Sequence, residues 1–252
     1  MLARPFPAGH LIPALALILA LSFILAVSGC GSQPPSQEKP WKEEVSNSLK
    51  SCEECASYRF RLKMETWIGV SGQSVFGDEK GEGSYAGGNF YLQLQRTSPA
   101  GDEALAVASR EERFYLQENG VWKGVEMDEL PNPLYNPRFL AKLVAGHGSV
   151  TLEGEEERGG TACRRYLLQL GADKARDAFS ARAWSYFSNL RYELNCRLWV
   201  SDPSSPPAAI RLEVVGFDQD ESLQRYRSLT TMEPYDVGSP DILVPEPDTE
   251  GG

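Results

Sequence analysis

Residues 58–68 read YRFRLKMETWI, and this stretch decides the fold class. Apolar side chains stand at alternate positions along most of it, and the positions between them carry Arg59, Arg61, Lys63 and Glu65. Strict alternation of this length is typical of a β-strand with one face buried and the other in water. The stretch therefore predicts a strand of a sheet that packs on one side only.

The same period of two continues along most of the chain. A short amphipathic helix is predicted before the strand, over residues 41–55. Turns are predicted at residues 86–89, 119–120, 157–160 and 202–207, each between two alternating segments. Consecutive strands are thus joined by short connections, as in a meander.

Two segments interrupt the strand pattern. In the first, Asn136 is placed to cap a helix, Pro137 to occupy its first turn and Gly146 to end it. The second covers residues 171–189, with Trp184 near an apolar helical face. That face is predicted to carry Phe179, Ala183, Tyr186 and Phe187.

These elements predict an α+β fold that is mostly antiparallel β. The expected architecture is a single curled meander sheet, a half-barrel of roughly ten strands, with helices packed on its concave face. The last segment, residues 236–247, is expected to run along the edge of the sheet.

Cys52, Cys55, Cys163 and Cys196 follow the N-terminal region. In an exported protein an even number of cysteines favours disulfides, and three pairings are open; free buried thiols and a zinc site are the alternatives. No second CxxC pair is present, so no metal site is predicted.

A Cys163–Cys196 bond depends on how two neighbouring strands align. The expected register places Leu168 opposite Tyr192 and Tyr166 opposite Leu194, which turns Cys163 away from Cys196. A bulge brings the two thiols together, and we expect the bond with that bulge.

The N-terminus carries a targeting signal. Residues 11–27 are apolar or small, are too short for a typical membrane span and have no basic cluster directly after them. Residues 27–30, Val-Ser-Gly-Cys, match the bacterial lipobox. Cys30 is therefore predicted to receive diacylglycerol and an acyl chain such as palmitate, which together anchor a protein firmly.

The predicted organisation follows from this signal. Residues 1–29 form a lipoprotein signal peptide, and residues 30–40 form the lipidated cysteine and a flexible tether. The half-barrel domain covers residues 41–245, and residues 246–252 form a disordered tail.

Composition limits the classes of function. Loss of Arg4 with the signal peptide reduces the 25 basic residues to 24 against 35 acidic ones, a formal net charge of −11, which argues against nucleic acid as a partner. His147 is the sole histidine after residue 29, and no nucleophile elbow, phosphate loop or metal-binding spacing is present. We predict no catalytic residues, no cofactor and no enzymatic activity.

Several of these segments together carry a family resemblance. The lipobox and the helix that runs into YRFRLKMET come first, followed by NPRFLAKLVAG at residues 136–146, YELNCRLWVSDPSSPPAAIRLEVVG at residues 192–216 and DILVPEP at residues 241–247. In this order they resemble the bacterial lipoproteins of the LolA/LolB and LppX/LprG superfamily. A strand ending near Trp199, a turn at Asp202 and a strand restarting at Ile210 match the family's pattern.

The resemblance implies a half-barrel closed by helices around an apolar cavity that accepts acyl chains. The candidates to line that cavity share one predicted face of the sheet or of the mid-chain helix. They are Phe60, Leu62, Met64, Phe90, Leu92, Leu94, Phe139, Leu143, Tyr192, Leu194, Leu198, Ile210 and Leu212.

Two functions are compatible with these features. The first is an extracytoplasmic lipoprotein, anchored to the bacterial membrane, that binds, carries or presents a lipid or other hydrophobic ligand. The alternative is a non-catalytic envelope sensor, regulatory or structural protein that uses the same fold to contact an envelope protein partner, with side chains filling its interior.

Overall fold

The strand predicted at residues 58–68 lies at the centre of the sheet. A computed structural model describes residues 38–70, 73–219 and 223–247, and in it strand β1 runs Ser57–Val70. Tyr58, Phe60, Leu62 and Met64 are buried, and the residues between them are exposed. The face of the sheet that carries these four side chains is the inner face, and the opposite face is the outer face.

The other strands pair with β1 in two series. They are β2 (Gln73–Ala86), β3 (Asn89–Ser98), β4 (Gly101–Arg110), β5 (Arg113–Glu118), β6 (Val121–Val125), β7 (His147–Arg158), β8 (Thr161–Leu170), β9 (Arg191–Val200), β10 (Ala209–Phe217) and β11 (Gln224–Tyr235). They form one open, 11-stranded sheet in the order β6-β5-β4-β3-β2-β1-β11-β10-β9-β8-β7. All paired neighbours are antiparallel, which confirms the predicted curled meander.

Helices cover the inner face. Helix α1 (Glu38–Glu54) buries Val45, Leu49 and Cys52 in the core. Helix α2 (Pro137–Ala145) begins where the Asn136 side chain accepts hydrogen bonds from two backbone N–H groups, and it ends at Gly146, as predicted. Helix α3 (Ala181–Phe187) and the 3-10 helices Met127–Glu129, Pro133–Tyr135 and Ala172–Ala178 complete the cover. The described residues from Glu38 onward form one compact unit.

The segment after β11 crosses the ends of central strands. The Ser57 hydroxyl donates to the Ser239 carbonyl at 2.7 Å, the Ser84 hydroxyl donates to the Leu243 carbonyl at 3.2 Å, and Arg110 pairs with Glu246 at 2.6 Å. The expectation of a course along the sheet edge was wrong, because β11 lies beside β1 in the middle of the sheet and the segment continues from there.

The predicted alignment of β8 with β9 was wrong by four residues. Leu168 lies opposite Cys196, and Tyr166 lies opposite Leu198. β9 begins at Arg191, but its pairing with β8 begins only at Leu194. The residues before Leu194 therefore extend beyond β8 and pair with β10 alone. A shift of an even number of residues leaves every side chain on its predicted face.

All four described cysteines are free, so the expected disulfides were wrong. Cys163 packs against Trp199 on the outer face, whereas Cys196 belongs to the core on the inner face. Cys52 is in the core, and the Cys55 thiol donates to the Ser57 carbonyl at 3.2 Å instead of meeting Cys52. A disulfide requires Cβ atoms about 3.8 Å apart, which opposite faces of a sheet do not allow.

Thiol labelling checks this result. Burial raises the pKa of Cys52 well above its ordinary value and the pKa of Cys196 to about 12, so neither forms the reactive thiolate near neutral pH. In residues 38–252 we expect Cys55 to be alkylated fastest in the folded state, and all four cysteines to be alkylated after unfolding without reductant. Fewer than four labels on the unfolded chain, measured by mass spectrometry, would contradict the free thiols.

Candidate functional site

The predicted cavity residues share the inner face. Twelve of them are buried in one continuous core, and Phe139 is partly buried against that core. They come from strands on both sides of β1 and from α2, as the alternation predicted. In this state they contact one another and the covering helices, and they remain candidates for ligand contact.

An aromatic cluster covers one end of the inner face. This is the hairpin end of the sheet, where Val70 ends β1 and Gln73 begins β2. Tyr192 and Tyr226 point from β9 and β11, and side chains from the segment between β8 and β9 pack on them. The members of the cluster are Phe179, Trp184, Phe187, Tyr192 and Tyr226.

Phe179 is the centre of the aromatic cluster. Its ring centroid lies 5.0 Å from that of Tyr226, 5.5 Å from that of Tyr192 and 5.7 Å from that of Trp184. The Tyr192 hydroxyl donates to the Phe187 carbonyl at 2.7 Å. Ring pairs at such distances each contribute about 0.5–1.5 kcal/mol beyond the area they bury.

The segment that supplies three of these rings, residues 171–190, is called the covering segment. Its helix α3 has no buried residue, although Trp184 and Phe187 are partly buried against the core. Tyr186 was predicted to share the apolar helical face but is 69% exposed. Phe179 precedes α3 and Trp184 takes the inward position, because the helix is only seven residues long and begins after its cap at Ser180.

A polar network lies beside the aromatic cluster on the same face. Arg96 donates to Glu79 at 2.8 Å, to the Tyr135 hydroxyl at 2.9 Å and to Glu103 at 3.3 Å. The Tyr135 hydroxyl donates to the second Glu79 oxygen at 2.6 Å. Burial, with the nearby Glu79 carboxylate, holds the pKa of Tyr135 well above its ordinary value, so the hydroxyl remains a donor.

A cleft of about 850 Å³ lies on the outer face. Charged and amide side chains of β1, β2 and β3 line much of it, among them Arg61, Lys63, Lys80, Gln93 and Gln95. Acyl chains gain nothing from such walls, because their burial is favourable only against apolar surface. This cleft lies on the opposite side of the sheet from the predicted inner-face site, and its polar walls do not suit an acyl chain.

Cys30, the lipobox and the signal peptide lie outside the described residues. No helix in the described part of the chain combines the length and hydropathy that a membrane span needs. Among residues 38–70, 73–219 and 223–247, no three metal-ligating side chains come together.

Comparisons with known proteins give a likeness of fold. No family model matches the sequence, and no curated protein matches it. The solved structure of LprF from Mycobacterium bovis is similar at 14% identity and a TM-score of 0.49, over 83% of this chain and 98% of that one. LppX, a lipoprotein of Mycobacterium tuberculosis, is similar at 11% identity and a TM-score of 0.45, over 82% and 99%.

A LolA superfamily protein from Nitrosomonas europaea is similar at 9% identity and a TM-score of 0.34, over 80% of this chain and 94% of that one. These solved structures include members of the group that the sequence resembles. At such identities the likeness extends to the fold and not to ligand or partner.

Proposed function

We propose that this protein is an extracytoplasmic lipoprotein, anchored to the bacterial membrane through Cys30, that binds a lipid or another hydrophobic ligand on the inner face of its sheet. It acts by binding and not by catalysis. The aromatic cluster, through which the covering segment packs on the strands, is the observation that supports this proposal.

Ring contacts join the covering segment to the sheet, and Ala175 and Ala178 of its 3-10 helix are also buried in the core. Phe179, Trp184 and Phe187 rest on Tyr192 and Tyr226, while the other side of α3 faces water. An apolar ligand can replace these ring contacts with contacts of its own, and displacement of the segment breaks one hydrogen bond, from the Tyr192 hydroxyl to the Phe187 carbonyl. Displacement of the segment uncovers the apolar side chains of β9 and β10 beneath it.

The free energy of acyl-chain burial is sufficient for this exchange. Burial contributes about 0.8 kcal/mol per methylene, so a long chain contributes on the order of 10 kcal/mol. Four ring contacts of about 0.5–1.5 kcal/mol each beyond burial join the segment to Tyr192 and Tyr226. A ligand with one or two chains therefore competes with the aromatic cluster for the same surface.

A brominated stearate tests the position of the ligand, because bromine quenches tryptophan fluorescence on contact. We expect the brominated chain to quench Trp184, which lies 5.7 Å from Tyr192 in the cluster. The fluorescence of Trp199 on the outer face is expected to remain unquenched. Equal quenching in a Trp184→Phe variant would contradict a ligand under the covering segment.

The anchor has its own test. Cys30→Ser removes the nucleophile that accepts lipid, so the variant loses its acyl chains. In cell fractionation we expect the native chain in the membrane fraction and at least about a tenfold shift of the variant to the soluble fraction, since anchoring needs more than one chain. An unchanged membrane fraction would contradict the lipid anchor.

A second candidate function is an envelope protein that contacts another protein and binds no lipid. The observation in its favour is the close packing of the inner-face side chains into one core. Such a protein retains its covering segment when lipid is added, so fluorescence of Trp184 distinguishes the two candidates.

A further inference from the structure

Polar side chains form a strip across the mostly apolar inner face. The pairing of strands places Thr230 beside Met64, Met64 beside Glu79, Glu79 beside Arg96, and Arg96 beside Glu103. These residues therefore lie in one row that crosses five adjacent strands, from β11 to β4. The polar strip consists of Thr230, Glu79, Arg96 and Glu103, and the Tyr135 hydroxyl caps it from the helical side.

The polar strip leads from solvent into the core. The exposed fraction of the side chain is 43% for Glu103, 25% for Arg96 and 19% for Glu79. Thr230 at the inner end is 1% exposed. Exposure thus falls along the row from Glu103 at the surface to the buried Thr230, and the buried Met64 lies between Glu79 and Thr230.

Thr230 has an unused hydrogen-bonding group. In the part of the chain that the structure describes, its Oγ1 atom is among the few buried side-chain oxygens without a partner. A buried hydroxyl without a partner lowers the stability of the folded state, a cost that valine of similar shape avoids. The hydroxyl therefore points to a ligand group that it bonds when the site is occupied.

The charges of the strip indicate what that group is. Glu79 and Glu103 carry two negative charges against the single positive charge of Arg96, and Arg96 is already bonded to both carboxylates and to Tyr135. An anionic head group finds no free cation here and meets excess negative charge. Carboxylate oxygens have further lone pairs and accept hydrogen bonds from hydroxyl groups.

We infer that the polar strip binds the head group of the hydrophobic ligand, and that this head group is uncharged and bears hydroxyls. The inference rests on the proposed function, because it requires an acyl chain on the neighbouring apolar surface. The hydroxyls of the head group donate to Glu79 and pair with Thr230, while Met64 between them moves aside through its flexible side chain.

Three ligands with the same dodecyl-length chain test the inference on residues 38–252. They are 1-lauroylglycerol, laurate and dodecyltrimethylammonium, each titrated below its micelle concentration and followed by calorimetry. We expect 1-lauroylglycerol to bind at least about tenfold more tightly than laurate. Dodecyltrimethylammonium lacks a hydroxyl and is expected to bind less tightly than 1-lauroylglycerol.

Two variants locate the effect. Thr230→Val is expected to weaken 1-lauroylglycerol binding roughly three- to tenfold, because the complex loses one hydrogen bond. No loss of thermal stability is expected, because in the free protein the variant only removes an unpartnered hydroxyl. Thr231→Val makes the same chemical change on the outer side of the same strand and is expected to change nothing. Glu79→Gln is expected to improve laurate binding, since it removes one negative charge.

The outcomes separate this inference from the function on which it rests. If none of the three ligands binds, the proposed function is overturned and the inference with it. If all three bind equally and the variants change nothing, the chain-binding function stands and the head-group inference is overturned. If Thr230→Val and Thr231→Val weaken binding alike, the effect is not located at the strip and the inference is overturned.

Discussion

Replacement of Gly81 by alanine is expected to lower the free energy of unfolding by about 3 kcal/mol or more. Gly81 lies on β2 between Leu62 of β1 and Leu94 of β3. A Cβ atom built on it overlaps the backbone carbonyl of Gln93, and a backbone atom cannot rotate away as a side chain does. The two strands therefore approach this closely only because the side chain is absent, and thermal denaturation should show a loss of roughly 6–12 °C.

Gly77→Ala is the matched control. Gly77 lies on the same strand and the same face, and its added Cβ has its nearest neighbour, the Thr97 carbonyl oxygen, at 3.9 Å, an ordinary contact. This variant is expected to be as stable as the native chain or slightly more stable, because alanine restricts the unfolded state. Equal melting temperatures for Gly81→Ala and Gly77→Ala would contradict the close approach of β2 and β3.

Replacement of Phe179 by alanine is expected to have two opposite effects. Removal of the central ring deletes its contacts with Trp184, Phe187, Tyr192 and Tyr226, so the free energy of unfolding should fall by about 3 kcal/mol. Affinity for an acyl ligand should rise about tenfold, because the ligand no longer displaces a fully packed cluster. Calorimetry with 1-lauroylglycerol and thermal denaturation measure the two effects.

Tyr186→Ala is the control that distinguishes a specific effect of the Phe179 ring from a general loosening of the covering segment. Tyr186 lies on the same helix but is exposed and belongs to no ring pair of the cluster. Its removal is expected to leave both stability and affinity unchanged. A fall in stability for Phe179→Ala without a gain in affinity would mean that the aromatic cluster is part of a permanent core.

The sheet followed from the sequence because alternation and turns are local signals. Residues 58–68 define the inner face, and Gly87-Gly88 and Asn119-Gly120 mark turns whose backbone has positive φ. The β8–β9 register did not follow, because residues 171–190 between the strands form one α-helix and one 3-10 helix whose packing no local pattern fixes. The error of four residues preserved the predicted faces.

The polar network had a signal in the sequence that pattern analysis overlooked. Arg96 continues the alternating row of Phe90, Leu92 and Leu94, and Glu103 precedes Leu105 in the same way. A charged residue at a position of apolar parity indicates a buried polar contact. Its partner Tyr135, from a 3-10 helix, was not predictable, since its contact with β2 and β3 depends on how the chain crosses the sheet.

The most direct test of lipid binding is native mass spectrometry of residues 38–252 purified from a bacterial periplasm, followed by organic extraction. We expect stoichiometric acyl lipid on the native chain. In the Leu194→Asp variant we expect this lipid to be lost while the far-ultraviolet circular dichroism spectrum still shows a folded β-sheet. Leu194 is 2% exposed and lies on the inner face of β9. If the purified protein has the mass of the ligand-free chain and takes up no added 1-lauroylglycerol, that result would contradict lipid binding and favour the protein-contact function.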